Sequence, residues 1–168
     1  MFEMHTLNDA ELPRFVDTVL GAFAKVIHRY GDDVLLANTW GDGLYLVFDD
    51  AGKAARCALD LQAAMARIDL PGAGLPNHLA LRIGGHLGPA YTGQDPIIKR
   101  PNFFGAHVSR AARIEPVTPE GCVYVTETLA AVLAIHNAAE FACDYVGMTQ
   151  AAKHYGPMRM FLLRSVLR

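Results

Sequence analysis

Two apolar runs face each other across a short polar break. Val34-Leu-Leu-Ala-Asn-Thr-Trp40 leads into Gly41-Asp42-Gly43, and Leu44-Tyr-Leu-Val-Phe48 follows. Asp-Gly between two such runs is a hairpin signal, because a tight reversal of paired strands needs residues that tolerate positive φ. A lone hairpin cannot bury its apolar face, so neighbouring segments must cover it. Upstream, Leu12, Phe15, Val16, Val19, Leu20, Phe23, Val26, Ile27 and Tyr30 recur at three- and four-residue steps, the stripe of one long helix. Asn8 or Asp9 suits its cap, Pro13 its first turn and Gly31 its end. Downstream, Ala54, Cys57, Ala58, Leu61, Met65 and Ile68 predict a second helix, stopped by Pro71 and Gly72.

The rest of the chain alternates shorter pieces. A strand is expected from Leu79 to His86, and a loop interrupted by Pro96 and Pro101 from Gly88 to Pro101. A short helix is expected from Phe104 to Ile114, a strand from Val123 to Thr126, and a helix from Glu127 to His136 capped by Thr126. Phe141 to Val146 and Met158 to Val166 read as a closing antiparallel pair, with Met148 to Gly156 as a polar loop. The order predicts one α+β domain over residues 1–168: a ferredoxin-like, mostly antiparallel sheet with helices packed on one face. Against a β-α-β-β-α-β unit its first, central strand is absent, since only Met1 to Leu7 precede the first helix.

Composition excludes several function classes. With 52% apolar and 19% charged residues the chain has enough material for a packed core. A formal net charge of -2 supplies no long-range field for nucleic acid. Cys57, Cys122 and Cys143 are too few for a disulfide scaffold and form no C-x-x-C pair, as in a reducing compartment. No apolar run reaches membrane-spanning length, and Met1 to Thr6 lack a basic-then-apolar signal pattern. A cytoplasmic protein with neither a membrane nor a nucleic-acid partner is expected.

The chemistry-bearing residues are few. Asp42, between two glycines, reads either as a turn residue or as a carboxylate held for a hard divalent cation. Ser109 and Arg113 stand four apart. On a helix they share a face that serves either solvent or a phosphate or ribose oxygen. Lys153 is a loop lysine, solvated or meeting a phosphate. Seven histidines show no H-x-H or H-E-x-x-H spacing, so no transition-metal site is expected. His86 reads as a hydrogen-bonded core or loop residue.

Four blocks together resemble a family. Asn38-Thr-Trp-Gly-Asp-Gly-Leu-Tyr-Leu-Val-Phe48 is similar to the K-x-x-G-D-x-x-x-x-x-F hairpin of class III adenylyl and guanylyl cyclases. Leu81-Arg-Ile-Gly-Gly-His-Leu-Gly-Pro89 resembles their L-R-I-G-I-H-x-G-P strand. Phe104-Gly-Ala-His-Val-Ser-Arg-Ala-Ala-Arg-Ile-Glu115 resembles their W-G-x-x-V-N-x-A-A-R-x-E helix. Gly121-Cys-Val-Tyr-Val-Thr-Glu127 resembles the strand that follows it. Diguanylate cyclases share the fold type and a Gly-Asp hairpin but do not account for residues 104–127.

The resemblance implies a nucleoside triphosphate, ATP or GTP, converted to its 3′,5′-cyclic form with release of pyrophosphate. It implies two-metal chemistry with Mg²⁺ or Mn²⁺, at sites formed between the subunits of a homodimer. Asp42 takes the place of the second metal aspartate and Arg113 that of the transition-state arginine. Lys153 becomes a triphosphate contact. Asn38 and Asn102 stand at the base-reading positions and Ser109 at the ribose position. The chain departs from the pattern at those last three, and residues 1–7 contain no first metal aspartate. Asn can donate and accept, so these residues leave ATP and GTP undistinguished. One carboxylate carries too little charge for two dications beside a triphosphate. The departures motivate an alternative: a catalytically impaired cyclase-homology module acting in dimerisation, nucleotide sensing or regulation.

Overall fold

Asn8 opens the first helix through a reciprocal cap. Its Oδ1 accepts from Ala10 N at 2.9 Å and Glu11 N at 3.1 Å, while Glu11 Oε2 accepts from Asn8 N at 2.9 Å. The computed structural model describes residues 7–41, 43–153 and 155–166. The helix runs as α1 (Glu11–Phe15), a π-helical segment (Val16–Leu20) and α2 (Gly21–His28). Phe15, Val19, Phe23 and Val26 carry its buried stripe, whereas Val16, expected in that stripe, is half exposed. Gly31, at φ 51°, ends it.

Residue contacts group into two compact units. One runs to Arg82 and includes Glu120–Cys122; the other holds Ile83–Pro119 and the chain from Val123 onward. In the first unit, β1 (Val34–Trp40) and β2 (Gly43–Phe48) form the expected hairpin, closed by Trp40 opposite Gly43. Asp50 caps α3 (Ala51–Ala66), its Oδ1 accepting from Lys53 N at 2.7 Å. Tyr30 OH and the Arg29 guanidinium both donate to Asp60 Oδ2, at 2.9 and 3.2 Å, and fasten the end of the first helix to α3.

The second unit holds a four-stranded sheet in the order β3-β6-β8-β7, from β3 (Ile83–Gly85), β6 (Val123–Thr126), β7 (Phe141–Ala151) and β8 (Gly156–Ser165). Three of its strands pair antiparallel in sequence, and β3 pairs parallel with β6. It also contains β4 (Tyr91–Gln94), β5 (Pro101–Phe104), α4 (Ala106–Ala111) and α5 (Glu127–His136). Mixed α+β architecture is therefore as expected, with antiparallel pairing predominant.

Four local expectations need correction. The strand expected from Leu79 is only Ile83–Gly85. Leu79 and Leu81 are buried outside any ladder, and the Leu81 carbonyl accepts instead from Gln62 Nε2 and Gly121 N. The expected loop 88–101 contains a hairpin, because Asp95 Oδ1 accepts from Ile97 N (2.9 Å) and Ile98 N (3.2 Å) and so builds the turn between β4 and β5. Pro101 is tolerated as the first residue of its strand. The polar loop expected at 148–156 is shorter, since β7 continues to Ala151 past a bulge at Val146, just before Gly147 (φ 118°). Thr126 precedes α5 but makes no side-chain cap.

Candidate functional site

The hairpin of the first unit positions Asn38. Asn38 lies directly opposite Tyr45, and two residues on, Trp40 stands on the same face. The rings of Trp40 and Tyr45 stack at 5.0 Å and 25°. Asn38 Oδ1 accepts from Thr39 N at 3.0 Å, and Asn38 borders an open groove of about 260 Å³ with Ala24, Ile27 and Leu44. Burial pushes the Tyr45 phenol pKa up, so the ring stays neutral. Asp42, the expected cation ligand, lies outside the described residues.

In the second unit, α4 ends earlier than expected, at Ala111. Arg113 N then bonds to Arg110 O at 3.0 Å and Ile114 N to Ala111 O at 3.2 Å. These three-residue bonds wind the chain more tightly than an α-helix and align Arg113 with Arg110 rather than with Ser109. Ser109 stays on α4, exposed to solvent. The same turns bring Arg113 to the β7–β8 connection, where Ala152 N donates to Arg113 O at 3.2 Å. Lys153 follows directly, exposed and at φ 56°. Arg110 reinforces the junction: its Nε donates to Tyr155 OH at 3.2 Å, and its guanidinium lies 5.6 Å from that ring's centre.

Arg113 Nε is buried and has no hydrogen-bond partner in the protein. Buried polar N–H groups are nearly always hydrogen-bonded, so this donor is open to a partner beyond the described protein atoms. The site thus offers two cations, Arg113 and Lys153, on one backbone-locked corner. Planar guanidinium and ammonium groups together suit a polyphosphate.

Asn102 is locked differently. Its Nδ2 donates to Asp95 Oδ2 at 3.2 Å and its Oδ1 accepts from Phe103 N at 2.8 Å. A flipped amide would set oxygen against carboxylate and N–H against N–H. One orientation is therefore fixed, leaving one donor hydrogen and one lone pair. The Asp95 carboxyl is held below its usual pKa by the N–H groups of Ile97 and Ile98 and by Asn102.

Sequence reasoning missed a relay beside α4. His86 Nε2 and His107 Nδ1 lie 2.8 Å apart, His86 Nδ1 lies 2.8 Å from Thr126 Oγ1, and Thr126 Oγ1 is 3.0 Å from Thr128 Oγ1. Burial first, then the Arg110 cation and His107, hold the His86 pKa down at about 4. His86 had the expected hydrogen-bonded character. His107, 21 residues away, carried no spacing signal.

Among the described residues, no three His, Cys, Asp or Glu side chains converge. Among the same residues, no helix is long and apolar enough to cross a membrane.

The fold is that of cyclase catalytic domains. The chain is similar to the adenylyl cyclase CyaB from P. aeruginosa, with a TM-score of 0.77 at 17% identity, over 95% of this chain and 85% of that one. It is similar to an adenylate cyclase from Trypanosoma brucei, with a TM-score of 0.78 at 20% identity, over 99% and 87%. It is also similar to the guanylate cyclase domain of RhGC from Catenaria anguillulae, solved in complex with GTP, with a TM-score of 0.74 at 20% identity, over 96% and 87%. No curated protein matches the chain. The family model for the adenylate and guanylate cyclase catalytic domain matches residues 3–165, and the chain belongs to that family.

Proposed function

We propose that this domain binds a nucleoside triphosphate, ATP or GTP, and forms its 3′,5′-cyclic product at the interface of a homodimer. The observation that carries this reading is the buried, unpartnered Nε of Arg113, held one hydrogen bond away from the Lys153 turn. In this reading Arg113 donates to phosphoryl oxygens whose charge grows as the ribose 3′-oxygen attacks, and Lys153 holds the triphosphate. Ser109, exposed on α4, bonds a ribose oxygen. Asn38 and Asn102 meet the base edge, Asn102 in one fixed orientation. Asp42 is the cation ligand for Mg²⁺ or Mn²⁺, which supplies charge neutralisation when bound. An exposed apolar surface on the β4–β5 hairpin, with Tyr91 71% and Ile97 88% exposed, suits a face covered in a homodimer.

A second reading is a regulatory, catalytically impaired module. It is motivated by the sequence departures from the family pattern at Asn38, Asn102 and Ser109. One experiment separates the two. Purified chain is incubated with ATP or GTP and excess Mn²⁺, with an Asp42→Ala variant alongside, and cyclic product is measured by mass spectrometry. Product that vanishes in the variant supports the cyclase. A folded chain that binds nucleotide without turnover supports the module.

A further inference from the structure

We propose that His86 and His107 share a one-way hydrogen bond that clips α4 to the end of β3 and so positions the turn carrying Arg113. The direction of every bond in the relay follows from its far end. Thr128 Oγ1 lies 2.9 Å from the Leu87 carbonyl, which only accepts, so the Thr128 hydroxyl must donate there. Thr126 then donates to Thr128, because Thr128 has spent its one hydrogen. Thr126 has now spent its own, so His86 Nδ1–H donates to Thr126. A neutral imidazole has one N–H, which leaves His86 Nε2 as a lone pair. His107 Nδ1–H donates to it. Both rings are thereby fixed in the Nδ1–H form, and the Nε2 of His107 is left to accept.

The geometry agrees with this assignment. The two ring planes lie within 7° of each other with centres 5.1 Å apart. At an N–N distance of 2.8 Å that places the rings end to end, in one plane, as a linear hydrogen bond requires. The groups facing His86 are His107 and Arg110 from α4, Thr126 at the end of β6 and Thr128 of α5. None is a carboxylate that would favour a second proton, and His86 keeps its lone pair at neutral pH. Gly88 completes the clip: a Cβ there would collide with the His107 ring, so the glycine leaves room for it. Because α4 passes by three-residue turns into Arg113, a displaced His107 moves the arginine's backbone.

The catalytic consequence rests on the cyclase reading, but the clip itself does not, so it is tested without turnover. Ring ¹⁵N shifts are recorded by two-dimensional NMR on the full chain near pH 7. The expected result is Nδ1–H with bare Nε2 on both His86 and His107. Dominant Nε2–H on either ring overturns the proposal. Amide hydrogen exchange is then compared in His107→Leu, which deletes the donor, and His107→Asn, whose amide places a donor near the Nδ1 position. We expect the amides of residues 109–114 to exchange about tenfold faster in His107→Leu, with recovery in His107→Asn and no change in α5. Gly88→Ala, which keeps both histidines, is expected to reproduce the loss and stands in should His107→Leu fail to fold. Unchanged exchange in both disruptive variants, or failure of Asn to restore it, would contradict positioning by this bond.

Discussion

The β1–β2 hairpin and the Arg113–Lys153 corner are both built by backbone hydrogen bonds, yet they draw on sequence in opposite ways. The hairpin closes within fifteen residues, from Val34 opposite Phe48 to Trp40 opposite Gly43. The corner joins partners far apart: Arg110 and Tyr155 are 45 residues apart, and His86 and Thr126 are 40. A short closure leaves local signals such as Gly41-Asp42-Gly43. A long one leaves none, because each partner is an ordinary residue in its own neighbourhood. The corner also holds the unsatisfied and strained groups, the buried Nε of Arg113 and the left-handed backbone of Lys153. Such features persist only where surrounding structure over-determines them.

The largest effect should come from the sheet that supports the corner. Met160 is fully buried on β8, opposite Thr126 and Gly147. Met160→Ala should cost about 2–5 kcal/mol, seen as a lower denaturation midpoint. A cost below about 1 kcal/mol would mean that the corner does not rely on this packing.

Arg113→Ala should separate function from stability. Cyclic-nucleotide formation should fall about a hundredfold or more, the range for removing one donor to developing charge. The melting temperature should stay level, since the lost Nε has no protein partner. A large drop in melting temperature would make Arg113 a structural residue and dissolve the contrast with the hairpin.

Acidification should weaken the second unit through His86. The folded-state pKa of about 4 lies below the ordinary value of 6.5, so the unfolded chain binds the extra proton first. The stabilisation is complete above about pH 6.5, declines as pH falls, and is exhausted near pH 4. With the partly exposed ring discounted for solvent, the loss is about 2 kcal/mol. Denaturant midpoints from pH 7 to pH 4 should show this slope in the wild type and a shallower one in His86→Asn.

Lys153→Gly gives the smallest shift and the sharpest contrast. A glycine at φ 56° relieves left-handed strain of about 1 kcal/mol, so stability should rise slightly. Triphosphate affinity should fall as the ammonium is lost. A gain in both would remove Lys153 from the site.

Much of the fold was legible because its signals are local. Asn8, one of the two expected caps, opens the first helix, residues 34–40 and 43–48 pair as the expected hairpin, and Phe15, Val19, Phe23 and Val26 carry the expected stripe. The β4–β5 hairpin was read as a loop because two prolines outweighed Asp95, whose side-chain turn is what makes the reversal. The candidate residues Arg113, Lys153, Ser109, Asn38 and Asn102 were named through motif resemblance. The structure adds what no motif holds: Arg113 bonded through its carbonyl to the residue before Lys153, and Asn102 locked by Asp95. The histidine relay was beyond reach, since its bonds join residues 21 and 40 positions apart that only the tertiary fold brings together.

The central claim is that the orphan Nε–H of Arg113 is kept for a phosphate. Its side-chain ¹H–¹⁵N signal, identified by its absence in Arg113→Lys, can be followed directly as Mg²⁺ with ATP or GTP is added. A saturable downfield shift of that signal is the expected result. A signal unmoved while nucleotide binds elsewhere on the protein would contradict the account.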